Sequence, residues 1–232
     1  MTTVGLVGGL GPESTIDYYR RILDGWAAHD PSSSPSIVID SLDSTLALRL
    51  VAEDRAAFTN YLLGSIRRLI GAGVDFVAMT ANTPHLVFDE LAAASSVPLL
   101  SIVEVCADEA RRHSLRRLLL LGTRFTMQAT FYPAVCARYD IDVVVPDEEE
   151  RTWVHARYVN ELLKGDFRDA TRAELVGLIT RLRDTRGVDG IILGGTELPL
   201  LLRASVIADL PVLDTTALHV AAIVNRLRGA DG

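Results

Sequence analysis

Short apolar runs of four to seven residues alternate along this chain with longer stretches whose apolar side chains recur every three or four positions. The first pattern predicts strands buried on both faces and the second amphipathic helices, which together are the signature of βαβ units. Strands are predicted at Thr3–Gly8, Ile37–Ser41, Phe76–Thr80, Leu99–Ile102, Leu118–Gly122, Asp142–Val145, Gly190–Gly194 and Val212–Leu213. The clearest helix, Ala52–Ile70, sets Leu62, Ile66 and Ile70 on one stripe and is ended by Gly71 and Gly73. A last helix is expected over Thr216–Leu227, and the Ser- and Pro-rich Asp30–Pro35 reads as a loop.

The pattern is written twice. Val74–Leu86 (VDFVAMTANTPHL) and Val188–Leu200 (VDGIILGGTELPL) stand 114 positions apart, as do Val4–Tyr18 and Leu118–Tyr132. A third pair, Val97–Leu100 and Leu210–Leu213, is shifted by one residue. The chain therefore reads as a duplicated α/β protein. The expectation is two pseudo-symmetric domains, each a roughly four-stranded, mainly parallel sheet flanked by helices, with an active-site cleft between them. Residues 1–98 plus 209–232 would form the first half, the last strand and helix returning to it, and 99–208 the second. Ligands of open parallel sheets sit at the C-terminal ends of the strands. Four turns fall there: Gly8–Glu13, Thr80–His85, Gly122–Met127 and Gly194–Pro199.

Composition narrows the classes. A chain of 232 residues that is 49% apolar can bury a sizeable core. A net charge of −7, with Arg scattered beside Asp and Glu, argues against a nucleic-acid partner. No apolar run approaches the roughly 20 residues of a membrane span, and no basic-then-apolar leader opens the sequence, so no membrane partner and a cytoplasmic location are expected. Two cysteines build no disulfide framework, and no Cys/His spacing suits zinc. GGLGPE departs from the dinucleotide pattern G-x-G-x-x-G, although Asp40 lies near the end of the second strand, so no cofactor is expected.

Six segments in order, GLVGGLGPEST at Gly5–Thr15, ANTPH at Ala81–His85, GTRFTM at Gly122–Met127, ELLKG at Glu161–Gly165, LGGTELPLL at Leu193–Leu201 and DTTALH at Asp214–His219, resemble the aspartate/glutamate racemase superfamily, most of all its aspartate racemase branch. That resemblance covers nearly the whole chain. It implies cofactor-independent (PLP-independent) proton transfer at a carbon beside a carboxylate, and a homodimer. Members use two cysteines on opposite faces of the substrate, one just before Asn-Thr and one just before Thr-Glu. The matching positions here are Ala81 and Gly195, which offer no proton acceptor. Smaller side chains there predict extra room. Cys106 and Cys136 fall on apolar helix stretches and read as buried structural thiols.

For a small carboxylate-containing ligand, the predicted binding residues are Asn82, Thr83, Thr123, Thr126, Thr196, Lys164 and Gly11. The hydroxyls and amide sit at strand-to-helix turns, where N–H groups favour an anion, though each also suits an ordinary helix cap. Lys164 resembles the family's lysine for a distal carboxylate, or is a helix C-terminal cation. The family's arginine after the second strand has no clear counterpart, Arg49 lying later. Glu197 and His85 are the candidate catalytic acid–base groups; for Glu197 the alternative is structural support, for His85 a cap on a neighbouring carbonyl. His219 and Asp214 read as structural. Three functions stay open: a racemase-like isomerase with other acid–base groups, a divergent decarboxylase, lyase or cyclising enzyme on a bulkier substrate, and a small-acid binding protein.

Overall fold

The computed structural model describes residues 2–229, which divide into two compact units. The first holds the chain up to Ser101 together with the residues from His219 onward, and the second is Ile102–Leu218.

The first unit runs β1 (Thr3–Gly8), α1 (Pro12–Ala27), β2 (Ser36–Ser41), α2 (Ser44–Glu53), α3 (Arg55–Gly71), β3 (Phe76–Met79), α4 (Phe88–Ala94) and β4 (Leu99–Leu100). Its sheet is ordered β2-β1-β3-β4, and every pairing is parallel. Successive residues of a strand point to opposite faces, and both faces are covered. Val7, Val77 and Met79 pack with Phe58, Leu62, Ile66 and Leu69 of α3, while Val4, Leu6, Phe76 and Ala78 pack with Tyr18, Ile22 and Trp26 of α1.

The second unit runs α5 (Ile102–Arg112), β5 (Arg117–Gly122), α6 (Arg124–Gln128), α7 (Phe131–Ala137), β6 (Asp142–Val144), α8 (Glu148–Asn160), α9 (Asp169–Arg186), β7 (Gly190–Gly194), α10 (Leu198–Leu202), β8 (Val206–Ile207), β9 (Leu210–Asp214) and the start of α11 (Thr215–Leu227). Its order is β6-β5-β7-β9-β8, with only β8 antiparallel. Leu119, Leu121, Ile191 and Leu193 face α8 and α9, and Leu118, Leu120 and Ile192 face α5 and α7.

The repeat in the sequence is a repeat in strand register. Val4 pairs with Phe76 as Leu118 pairs with Gly190, both members displaced by 114. Val77 pairs with Leu99 as Ile191 pairs with Val212, the second member displaced by 113. The one-residue shift between the third pair of segments is thus absorbed without changing the pairing.

Three expectations change. The helix expected over Ala52–Ile70 is two helices, because Asp54 is extended (φ −149°, ψ 95°) and its carboxylate accepts the Ala57 N–H. The stripe Leu62, Ile66 belongs to α3 alone. The boundaries at 98/99 and 208/209 put two strands on the wrong side: β4 pairs with β3 in the first sheet, and β9 pairs with β7 in the second. Each half closes its own sheet because a short crossover lays the next strand beside the one just left. Of the last two elements, only α11 returns to the first unit, placing Val220, Ile223, Val224 and Leu227 against Val4, Leu6 and Ile22. Finally, Ile102 opens α5 rather than closing a strand. Among the described residues no helix is long and apolar enough to cross a membrane.

Candidate active site

In the first unit the turn after β1 is tied to the end of β3. Gly9 has φ +79°, and a Cβ there would lie 2.2 Å from the Leu42 carbonyl oxygen, so only glycine fits the approach of this turn to β2's exit. The Gly9 N–H donates to Thr15 Oγ1 (2.9 Å), which lies 3.1 Å from Thr80 Oγ1, and Ser14 Oγ donates to the Thr80 carbonyl (2.9 Å). Gly11 is the extended N-cap residue of α1, followed by Pro12 at the first helical position. These contacts bring Gly11 and the segment Ala81–His85 to one edge of the sheet, as the sequence predicts.

Past Thr80 the chain turns into a short 3-10 helix, Thr83–Val87. Ala81 and Thr83 are partly buried and Asn82 is buried. The Asn82 side chain does not cap the turn. His85 lies 3.2 Å through Nδ1 from the Asn82 carbonyl and stacks on Phe88, ring centroids 5.0 Å apart. Burial, and secondarily the neighbouring His219, push its pKa down from 6.5 to about 3. His85 is therefore a neutral, wedged imidazole at ordinary pH. His219 is structural as expected: Nδ1 meets the Tyr18 hydroxyl at 3.0 Å and Nε2 meets the Leu100 carbonyl at 3.2 Å.

In the second unit two polar groups stand at the ends of β5 and β7. Thr123 caps α6, its hydroxyl accepting the Thr126 N–H (3.2 Å) and lying 3.1 Å from Thr126 Oγ1. At the end of β7, Thr196 Oγ1 donates to Glu197 Oε2 (3.0 Å), and the Tyr158 hydroxyl of α8 donates to the same oxygen. The Glu197 N–H makes a long return bond to the phenol oxygen (3.4 Å). Glu197 is 1% exposed and Tyr158 3%. Burial first, and the Glu197 carboxylate next, hold the Tyr158 phenol well above the usual tyrosine range.

The extra room expected at Gly195 is filled. A Cβ on Gly195 would stand 2.4 Å from Tyr158 Cε2 and 2.8 Å from its hydroxyl oxygen. The ring occupies the volume that a side chain at 195 would claim. Tyr158 left no mark in the sequence as a site residue, because with Val154 and Leu162 it follows core-helix spacing.

The other residues singled out in the sequence lie on other elements. Lys164 is exposed at the end of a 3-10 turn (Leu162–Lys164) that leads into the left-handed Gly165. Beside it, buried Glu161 is held below the usual carboxylate range by the Thr171 hydroxyl, then by Arg157 and Arg168. Arg49 is exposed on α2, and Asp40 binds Arg68 through both oxygens (3.1 and 2.7 Å). Asp214 accepts the Ala217 N–H. Both thiols are buried and inert: burial raises Cys106 well above its ordinary value and Cys136 to about 12.

Residues 7–223 match the family described as Asp/Glu/Hydantoin racemase. The chain is 27% identical over 221 residues to the broad specificity amino-acid racemase RacX of Bacillus subtilis (strain 168), covering 92% of this chain and 93% of that protein. The fold is also that of crystal structures of a candidate Asp/Glu racemase from Yersinia pestis (34% identity, TM-score 0.88, 98% and 100% of the two chains) and of an aspartate racemase homologue from Pyrococcus horikoshii OT3 (31%, 0.83, 98% and 100%).

Proposed function

The chain belongs to the Asp/Glu/hydantoin racemase family, and from that premise we propose that it is a cofactor-independent, racemase-like isomerase. It acts at the carbon beside a carboxylate of a small amino acid or related acid, without the two-thiol mechanism. The observation that carries this reading is the set of buried polar groups at the C-terminal strand edges of both units, at Asn82 and at Thr123, Thr126, Thr196 and Glu197, alongside Ala81 and Gly195, which have no ionisable atom. Similarity to a broad-specificity racemase supports a substrate set wider than aspartate and glutamate.

Of the two acid–base candidates, Glu197 fits better. His85, with its pKa pushed to about 3, carries no proton to donate from an imidazolium at neutral pH. Its ring is held by the Asn82 carbonyl and Phe88. Asn82, Thr83, Thr123 and Thr126 remain the proposed carboxylate-binding groups, with Lys164 for a second carboxylate and Gly11 leaving the α1 N-terminus open. A divergent decarboxylase, lyase or cyclising enzyme is the second reading, favoured by the ring beside Gly195. A cytoplasmic homodimer belongs to the same proposal. Ile16 and Tyr19 of α1 and Ile39 of β2 expose apolar surface consistent with it, and sedimentation equilibrium checks it.

The experiment is exchange of the α-hydrogen for solvent deuterium, followed by proton NMR, over both enantiomers of aspartate, glutamate, alanine, serine and lysine. Exchange into at least one acid is expected, with aspartate and glutamate slower than roughly one turnover per second, a common enzymatic scale. No exchange into any acid would sink the isomerase reading.

A further inference from the structure

We propose that Tyr158 is the proton-carrying group of the second unit, standing in the place that a side chain at position 195 would fill and set there by Glu197 and Thr196. The inference deepens the isomerase reading and rests on it for the presence of a carbon acid.

Two independent observations support it. The first is steric: the phenol oxygen lies 2.8 Å from where a residue-195 Cβ would be, inside the volume that such a side chain would enter. The second is the hydrogen-bonding order. The hydroxyl points its proton at Glu197 Oε2, Thr196 steadies the same oxygen, and the Glu197 N–H is directed at the phenol oxygen. A tyrosine serving only to fill a core needs one partner for its hydroxyl. This one is placed between a proton acceptor and an N–H donor.

The proton bookkeeping closes without another reactant. As the substrate's Cα–H bond breaks, its proton forms an O–H bond at the phenol oxygen while the phenol's original proton passes to the Glu197 carboxylate, and the electron pair stays on the substrate carbon. Deuterium enters when the phenol's new O–H bond exchanges with solvent while the carbanion persists, and reprotonation then runs the same transfers backwards. Glu197 is the base and the phenol the relay. The relay also accounts for a phenol that stays protonated at rest: its proton leaves only as another arrives. Ala81 supplies no comparable group in the first unit, so exchange that retains configuration is expected to outrun inversion.

The test compares wild type with Tyr158→Phe, which keeps the ring and removes one oxygen. Over the same panel of acids, Tyr158→Phe should lower kcat for exchange by about 100-fold or more, the scale of general acid–base catalysis, while KM moves by less than about threefold. Exchange within about threefold of wild type would reduce Tyr158 to a space-filling role and overturn the inference while leaving the isomerase reading standing. A second measurement uses 3-fluorotyrosine at position 158 and its fluorine resonance. Titration with the same acids should move the line. A line unmoved by every acid would overturn the inference whatever the activity. If wild type exchanges no acid, the isomerase reading falls, and a fluorine line that still moves would support the phenol's place beside the ligand.

Discussion

Gly195 is the residue on which the local packing turns. Its hydrogen sits where a methyl group would meet the Tyr158 ring at 2.4 Å, a separation that real side chains do not tolerate. Gly195→Ala is expected to cost about 1–3 kcal/mol, read by urea denaturation. In a Tyr158→Leu background the same change should cost clearly less, a coupling between touching residues that a double-mutant cycle measures. Additive costs would show that the ring gives way freely. The glycine and its neighbours Thr196 and Glu197 stand out in the sequence through the repeat. The tyrosine that completes them is silent there, because a buried aromatic at helical spacing looks the same whether it packs or reacts.

At the scale of elements, the strands were readable because those buried on both faces are written as unbroken apolar runs. What escaped was set by short-range or pairing detail. β8 is two residues long and antiparallel, with Val206 largely exposed, so it has no apolar run to announce it. The break between α2 and α3 depends on one carboxylate: Asp54 leaves the helical conformation and caps α3. Asp54→Ala should therefore lower stability by about 1 kcal/mol, with loss of helical protection confined to the first turn of α3 in hydrogen exchange. The allocation of Leu99–Leu100 and Leu210–Asp214 is settled by which neighbour each strand hydrogen-bonds. The equivalent positions of the two Pro-Leu/Val-Leu segments in the repeat held that information, since equivalent strands close equivalent sheets.

Across the whole molecule the duplication is one of backbone and not of charge. The first unit buries two neutral imidazoles, His85 with a pKa near 3 and His219 near 4, both lowered chiefly by burial. In the second, His155 is only partly buried and lowered more modestly. A histidine with a depressed folded pKa contributes its full stability above the unfolded value of 6.5 and loses it as pH falls, because the unfolded chain takes up the proton first. Between pH 6.5 and 4 the two imidazoles should remove on the order of several kcal/mol. Denaturation should become easier from about pH 6 downward, with the first unit losing amide protection ahead of the second; equal loss in both would contradict the assignment. The path of the chain has a further consequence, for synthesis. The second unit is one uninterrupted stretch, Ile102–Leu218, whereas one face of the first is covered by α1 alone until α11 adds Val220, Ile223, Val224 and Leu227. On the ribosome the later-encoded unit can close as soon as its own residues emerge. The strands made first wait, half covered on that side, for α11, so a chaperone that captures nascent chains should find its footing on Val4, Leu6 and Ile22.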